Sequence, residues 1–256
     1  MLSARKSRDE LEALYGDHYV AKYRANPYER LTRLLPLLVL KPTDTVVDFG
    51  CGNGMLFDLI GNRVARYIGV DFSESFIRDA RQRIEGRAAS QAEFVCSTID
   101  AFCERQQNTI DVAFAMDFSE HVYDEEWLQI LTCIRSVLKP HGRLYLHTPN
   151  AKFIVEVLKA KNFVLAQQPE HIAVRTPEEN CQLLEKAGFR IATLRVLAHY
   201  KPVLGATHAL TILPGIGRYF GARLFIEARP ARAAMATAMS HAGEPLVFGT
   251  SAAPAG

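Results

Sequence analysis

Residues Thr45–Met55 read TVVDFGCGNGM, and this stretch decides the fold. A short β-branched run, TVVDF, ends in three alternating glycines, Gly50, Gly52 and Gly54, and a helix is expected from Met55. Glycines at such a bend permit a tight turn and let the backbone approach a bound group with no Cβ in the way. A plain strand-to-helix turn would use them too, so the glycines alone do not establish a site.

Outward from this stretch, short apolar runs recur: RYIGVDF, AEFVCS, IDVAFAM and GRLYLHTP. Helical patterns lie between them at Met55–Ile60, Glu74–Ile84 and Glu125–Leu138. Alternating strands and helices imply βαβ units and a doubly wound, mostly parallel sheet. Continuous rather than alternating apolar strands agree with a sheet covered on both faces. Lys139-Pro140-His141-Gly142 is expected to end a helix before GRLYLHTP. Thr176-Pro177-Glu178-Glu179 predicts a capped helix ending at Gly188, followed by the strand FRIATLRVLAHY; ARLFIEARP reads as the last strand.

Upstream, Arg8–Arg24 and Tyr28–Leu40 have helical character, the second interrupted by Pro36, and residues 1–42 are expected to form an N-terminal helical lid. The main domain then covers 43–230. Within it, 201–221 is a Gly- and Pro-containing apolar insertion long enough to pack over a site. The Ala-rich segment 231–256 has no sustained apolar face and is expected to be disordered.

The 256 residues are 48% apolar and 23% charged, as in an ordinary globular chain. A net charge of +2 is too small to imply nucleic acid as a partner. Five cysteines, none spaced C-x-x-C, argue for a reducing, cytoplasmic setting rather than a disulfide framework. The charged N-terminus has no signal-peptide core, and the longest apolar run, Leu34–Leu40, is too short to span a bilayer. The oligomeric state stays open.

A second acid sharpens the reading of the glycines. RYIGVDF ends in Asp71, 21 residues after Gly50, where a carboxylate can accept both hydroxyls of an adenosine ribose. Asp71 could also simply begin the turn into the next helix. Asp48, two positions before Gly50, discriminates between nucleosides. It would repel the pyrophosphate of a dinucleotide and attract the ammonium of a methionine moiety. The charge pattern therefore favours a ligand carrying an ammonium and a sulfonium.

D-F-G-C-G-N-G, G-V-D-F-S, E-H-V and L-K-P-H-G-R-L together resemble the class I S-adenosylmethionine-dependent methyltransferases, over roughly Thr43–Pro149. The resemblance implies a Rossmann-like sheet of seven strands, the last antiparallel and inserted beside the sixth. It also implies that Asp48 and the loop Gly50, Cys51, Gly52 and Gly54 hold the methionyl part, Asp71 the ribose, and Phe72 the adenine face. An acid common after the third strand is replaced here by Thr98, beside Ile99, so the adenine contact falls on Ser97, Thr98 or a backbone amide. The spacing D-x-x-E-H at Asp117, Glu120 and His121 is similar to the E-x-x-E-H of the ubiquinone-biosynthesis O-methyltransferases. That similarity implies a divalent metal such as Mg on these three residues, with Asp117 also facing the cofactor; two carboxylates and an imidazole suit one cation. Glu120 and His121 could equally cap the helix that follows.

His121, expected nearest the methyl donor, is the candidate general base, and His171 resembles a substrate-side histidine. The expected reaction moves a methyl group to an O or N nucleophile of a small, apolar or aromatic acceptor. An NAD-dependent oxidoreductase would need a third glycine in a different register. A nucleic-acid methyltransferase would show [N/D]-P-P-[Y/F] where this chain has MDFSEH. A non-catalytic cofactor-binding module remains compatible with the sequence.

Overall fold

Residues on successive positions of the central strands point into two different cores, as a doubly wound sheet requires. In a computed structural model, which describes residues 10, 17–24, 28–85, 91–160 and 172–231, β1 (Thr45–Phe49) buries Val46 on one face and Val47 and Phe49 on the other. β4 (Ile110–Met116) repeats the pattern, with Val112 and Phe114 opposite Ala113 and Ala115.

The remaining strands are β2 (Arg66–Asp71), β3 (Ala92–Cys96), β5 (Leu138–Pro149), β6 (Phe189–Leu197) and β7 (Arg223–Pro230). They form one seven-stranded sheet in the order β3-β2-β1-β4-β5-β7-β6. Strands β1 to β5 pair in parallel; β7 runs antiparallel between β5 and β6. This is the inserted antiparallel strand that the resemblance implied.

One core lies under α6 (Asp124–Val137), whose Trp127, Leu131 and Ile134 are fully buried at i, i+4 and i+7. α8 (Pro177–Lys186) completes that layer. Its N-terminus carries the expected capping box: Thr176 N–H donates to Glu179 at 2.7 Å, and Glu179 N–H donates to Thr176 Oγ1 at 3.2 Å. The other core lies under α3 (Met55–Ile60) and α4 (Glu74–Ile84) and holds a stack of Phe114, Tyr145 and Phe225 across three neighbouring strands, each step 5.6 Å.

Two local expectations change. The Lys139–Gly142 tetrad is an excursion within β5 and not a gap before it. Ile110 pairs with Leu138, then Val112 with Arg143, so the intervening residues bulge out of the ladder. Upstream of the sheet, α1 (Asp17–Arg24) and α2 (Glu29–Thr32) are helical. Pro36 sits in a separate 3-10 turn at Leu35–Leu37, so the second helix stops well before the proline. The insertion holds α9 (Pro202–Ala206) and two 3-10 turns. The Ala-rich segment expected to be disordered lies outside the described residues apart from Ala231, as does His171.

Among the described residues, no helix is long and apolar enough to cross a membrane.

Candidate functional site

The carboxyl ends of β1, β2 and β4 meet at the glycine bend. Gly50, Gly52 and Gly54 have φ of 68°, 52° and 74°, the left-handed region that a side chain resists. Space is short as well: a Cβ on Gly50 would lie 2.6 Å from Phe118, and one on Gly54 2.8 Å from Phe94. Gly50 N–H and Cys51 N–H both donate to the Val70 carbonyl, which ties the bend to the end of β2. The Cys51 thiol is buried beneath it.

Asp48 and Asp71 are both buried, 3% and 9% exposed, and neither has a cationic partner among the described residues. Asp48 accepts from the Tyr67 hydroxyl at 2.6 Å. Burial pushes its pKa up to about 7; the Tyr67 hydrogen bond opposes that rise and the Asp71 charge adds to it. Asp71 accepts from Gly52 N–H at 3.0 Å and from Ser73 N–H at 2.9 Å. Its pKa is pushed up to about 6 by burial, against the pull of these backbone donors. Ser97 N–H donates to the Asp71 carbonyl, so Thr98 and Ile99, which begin α5 (Ile99–Cys103), lie just beyond the acid-bearing tip of β2. Phe72 follows Asp71 and is half-buried. The Asn53 side chain is fully buried, and its amide nitrogen and oxygen have no hydrogen-bond partner among the described residues. Uncompensated carboxylates, an unsatisfied amide and a bend with no room for a Cβ fit a polar, positively charged ligand.

The N-terminal helices reach this bend. The Tyr23 ring lies 3.3 Å from where a Cβ of Gly52 would stand and edges onto Phe76 at 5.2 Å. Arg30 donates to the Tyr23 hydroxyl oxygen and stands 3.2 Å from Asp117.

Asp117 sits differently from the sequence expectation. It adopts φ of 52° just past β4, and its side chain is 7% exposed. Its carboxylate meets Arg30, Arg223 Nη1 at 3.0 Å and His147 Nδ1 at 2.8 Å. Burial would raise its pKa, but His147, Arg223 and Arg30 outweigh that and hold it well below the usual carboxylate range. Glu120 is buried and points elsewhere: it accepts from Thr148 Oγ1 at 3.1 Å. Burial raises its pKa, against the pull of His121 and Arg223. His121, itself half-buried, ends a 3-10 turn whose Ser119 and Glu120 are buried. Among the described residues no group of three or more His, Cys, Asp or Glu side chains is placed to hold a metal. A dication at Asp117 would also stand beside two guanidiniums. Asp117, Glu120 and His121 therefore do not fit the metal that the D-x-x-E-H spacing implied: arginines already compensate Asp117, and Glu120 accepts from Thr148.

Helix capping by Glu120 or His121 is not the alternative either: Tyr123 is the N-cap of α6, without a side-chain cap. Segment 119–124 is instead strapped from outside. Ile172 and Ala173 N–H both donate to the Glu120 carbonyl, and buried Arg175 donates to the Ser119 and Val122 carbonyls at 2.6 Å and to Asp124 at 2.8 Å. Arg30, Arg175 and Arg223 are not marked by any motif in the sequence. The available signal is an arginine at the edge of an apolar run, as in ARLFIEARP.

A family model described as "Methyltransferase domain" matches residues 18–194. The ubiquinone biosynthesis O-methyltransferase of Neisseria meningitidis serogroup C (strain 053442) is 25% identical over 185 residues, which cover 70% of this chain and 76% of that protein. A solved complex of the Haloferax volcanii Trm112 methyltransferase activator contains a chain with a TM-score of 0.64 at 20% identity, covering 88% of this chain and all of that one. The magnesium protoporphyrin IX methyltransferase of Synechocystis PCC 6803, solved with bound SAH, gives a TM-score of 0.57 at 18% identity, with 90% of each chain covered. The family match spans more than half of the chain and includes both buried acids and the glycine bend, so this chain belongs to the methyltransferase-domain family and is an S-adenosylmethionine-dependent methyltransferase.

Proposed function

We propose that the protein methylates an oxygen, or alternatively a nitrogen, of a small apolar or aromatic molecule. The observation that carries the cofactor-binding part of this reading is the pair of buried carboxylates, Asp48 and Asp71, without a cationic partner among the described residues, on either side of a Cβ-free bend. The bound cofactor supplies a methyl group on a sulfonium sulfur. Asp48 pairs with the ammonium of its methionine part, and Asp71 accepts its ribose hydroxyls. Phe72, Thr98 and Ile99 flank the adenine. Tyr23 and Arg30 close the N-terminal helices over the bend, and the insertion closes the far side, so that water is excluded while donor and acceptor align. His121 takes the acceptor proton; His171 is a second candidate. An apolar acceptor is supported by the insertion, where Val203 and Ile212 are each 84% exposed. The O-methyltransferase name of the Neisseria relative supports oxygen.

The raised carboxyl groups give a pH dependence with a definite sign. In the free protein Asp48 and Asp71 hold protons at a pH where the unfolded chain has lost them, so their contribution to stability declines as pH rises from the ordinary carboxylate range through about 6 to about 7. An ammonium ligand needs Asp48 ionised. Affinity for S-adenosylhomocysteine should therefore rise roughly tenfold between about pH 5.5 and about pH 8, as read by calorimetry. A flat profile would remove Asp48 from the ammonium site.

Activity is tested with isotope-labelled S-adenosylmethionine and simple catechols, and then with a metabolite extract. Labelled methyl ether is the expected product, and His121→Gln should lower kcat roughly 10²-fold at unchanged cofactor affinity. Cofactor binding with no methyl transfer to any of these acceptors would overturn the proposal.

A further inference from the structure

Positive charge accumulates at the sheet's carboxyl edge, on the β7 side of the cofactor bend. Arg223 opens β7; besides meeting Asp117, its guanidinium carbon lies 5.7 Å from the Tyr200 ring centroid. Arg33 follows α2 and is half-buried. Burial lowers its pKa, and the nearby Arg223 charge lowers it further. His199, just past β6, stacks on Tyr200 at 4.4 Å and on Phe153 at 6.3 Å. Its Nδ1 accepts from Lys201 N–H at 3.0 Å, which leaves Nε2 as the protonated, donating nitrogen. Burial and then Arg223, Lys201, Arg33 and Lys159 push its pKa down to about 4, so the ring is neutral at pH 7.

The acids nearby do not balance these cations. Lys159 is paired with Glu156 at 2.8 Å, in α7 (Ile154–Ala160). Asp117 is shared among Arg223, Arg30 and His147. Arg33 and Lys201 have no carboxylate partner among the described residues. Two uncompensated cations, a neutral N–H donor and a stacked aromatic shelf are the complement of an acidic group carried on a ring. The cluster also borders the reaction: Arg223 touches Asp117, and the next residue, Phe118, packs on Gly50 of the bend.

We propose that Arg33, His199, Lys201 and Arg223 form a subsite for an anionic group, a carboxylate or a phosphate, on the methyl acceptor. The proposal rests on the acceptor reading given above and narrows it: an apolar or aromatic body with one acidic substituent. Arg33 and Lys201 supply the uncompensated charge, Arg223 borders the subsite while held by Asp117, Nε2 of His199 supplies a directed hydrogen bond, and Tyr200 and Phe153 supply the flat apolar wall.

The test uses the full chain saturated with S-adenosylhomocysteine, titrated in a calorimeter with benzoate, phenyl phosphate and neutral benzyl alcohol. At least one anion should bind about tenfold more tightly than the alcohol, and added salt should shrink the difference. The preferred anion identifies the group. Arg33→Gln, checked for folding by its retained S-adenosylhomocysteine binding, should erase most of that preference, and Arg33→Lys should restore part of it. Equal binding of anions and alcohol, no binding of either anion, or a preference untouched by Arg33→Gln would each overturn the subsite. These outcomes are distinct from a failure to bind S-adenosylhomocysteine, which would strike the underlying cofactor reading.

Discussion

Asp71→Ala should weaken binding of S-adenosylhomocysteine by roughly 10²-fold, because two charge-assisted hydrogen bonds to the ribose are lost together. The carboxylate is oriented for this by backbone N–H donors, Gly52 at 3.0 Å and Ser73 at 2.9 Å, which fix its two oxygens at the tip of β2. Alanine also leaves those two N–H groups without an acceptor, so Asp71→Asn is the informative companion. It keeps an acceptor oxygen and the side-chain shape but not the charge, and should lose roughly tenfold in affinity. The stranded donors also cost the free Asp71→Ala protein some stability, so the binding loss is read on folded protein and against Asp71→Asn. Unchanged affinity in folded Asp71→Ala protein would place the ribose elsewhere.

Asp117→Ala should show the opposite profile, a large loss of stability. This carboxylate is the shared counter-charge of Arg30 and Arg223 and also meets His147 Nδ1, all in a buried setting. Removing one partner of a buried ion network costs about 3–5 kcal/mol, because the other charges stay desolvated and unmatched. Alanine additionally has to adopt the φ of 52° that aspartate and asparagine tolerate better. Asp117→Asn keeps the backbone preference and loses only the charge, so urea unfolding should rank wild type above Asn and Asn above Ala. A change below about 1 kcal/mol in Asp117→Ala would show that the two arginines are solvated without their partner.

The contrast between these two acids shows how far the sequence can be read. The placement of Asp48, Asp71 and the glycines is legible because it depends on local order: a strand, a bend and a second strand at fixed spacing bring them together in any βαβ unit. The antiparallel seventh strand follows from family resemblance and is present between β5 and β6. Asp117 departs from expectation for the opposite reason. Its partners come from residues 30, 147 and 223, which only the folded sheet edge brings together, and no spacing along the chain announces them. The same holds for Tyr67 beneath Asp48 and for Arg175 strapping the segment after β4. The bulge at Lys139–Gly142 resembles a helix stop in sequence because Pro and Gly mark both turns and bulges.

The central question is whether the bend between Asp48 and Asp71 holds a nucleoside with a cationic amino-acid tail. Titrating the intact protein with S-adenosylhomocysteine, with NAD as the comparison ligand, addresses this directly. One saturable site for the first and no heat from the second is the predicted result. Folded protein that stays silent toward S-adenosylhomocysteine, or that takes up NAD in its place, would contradict it.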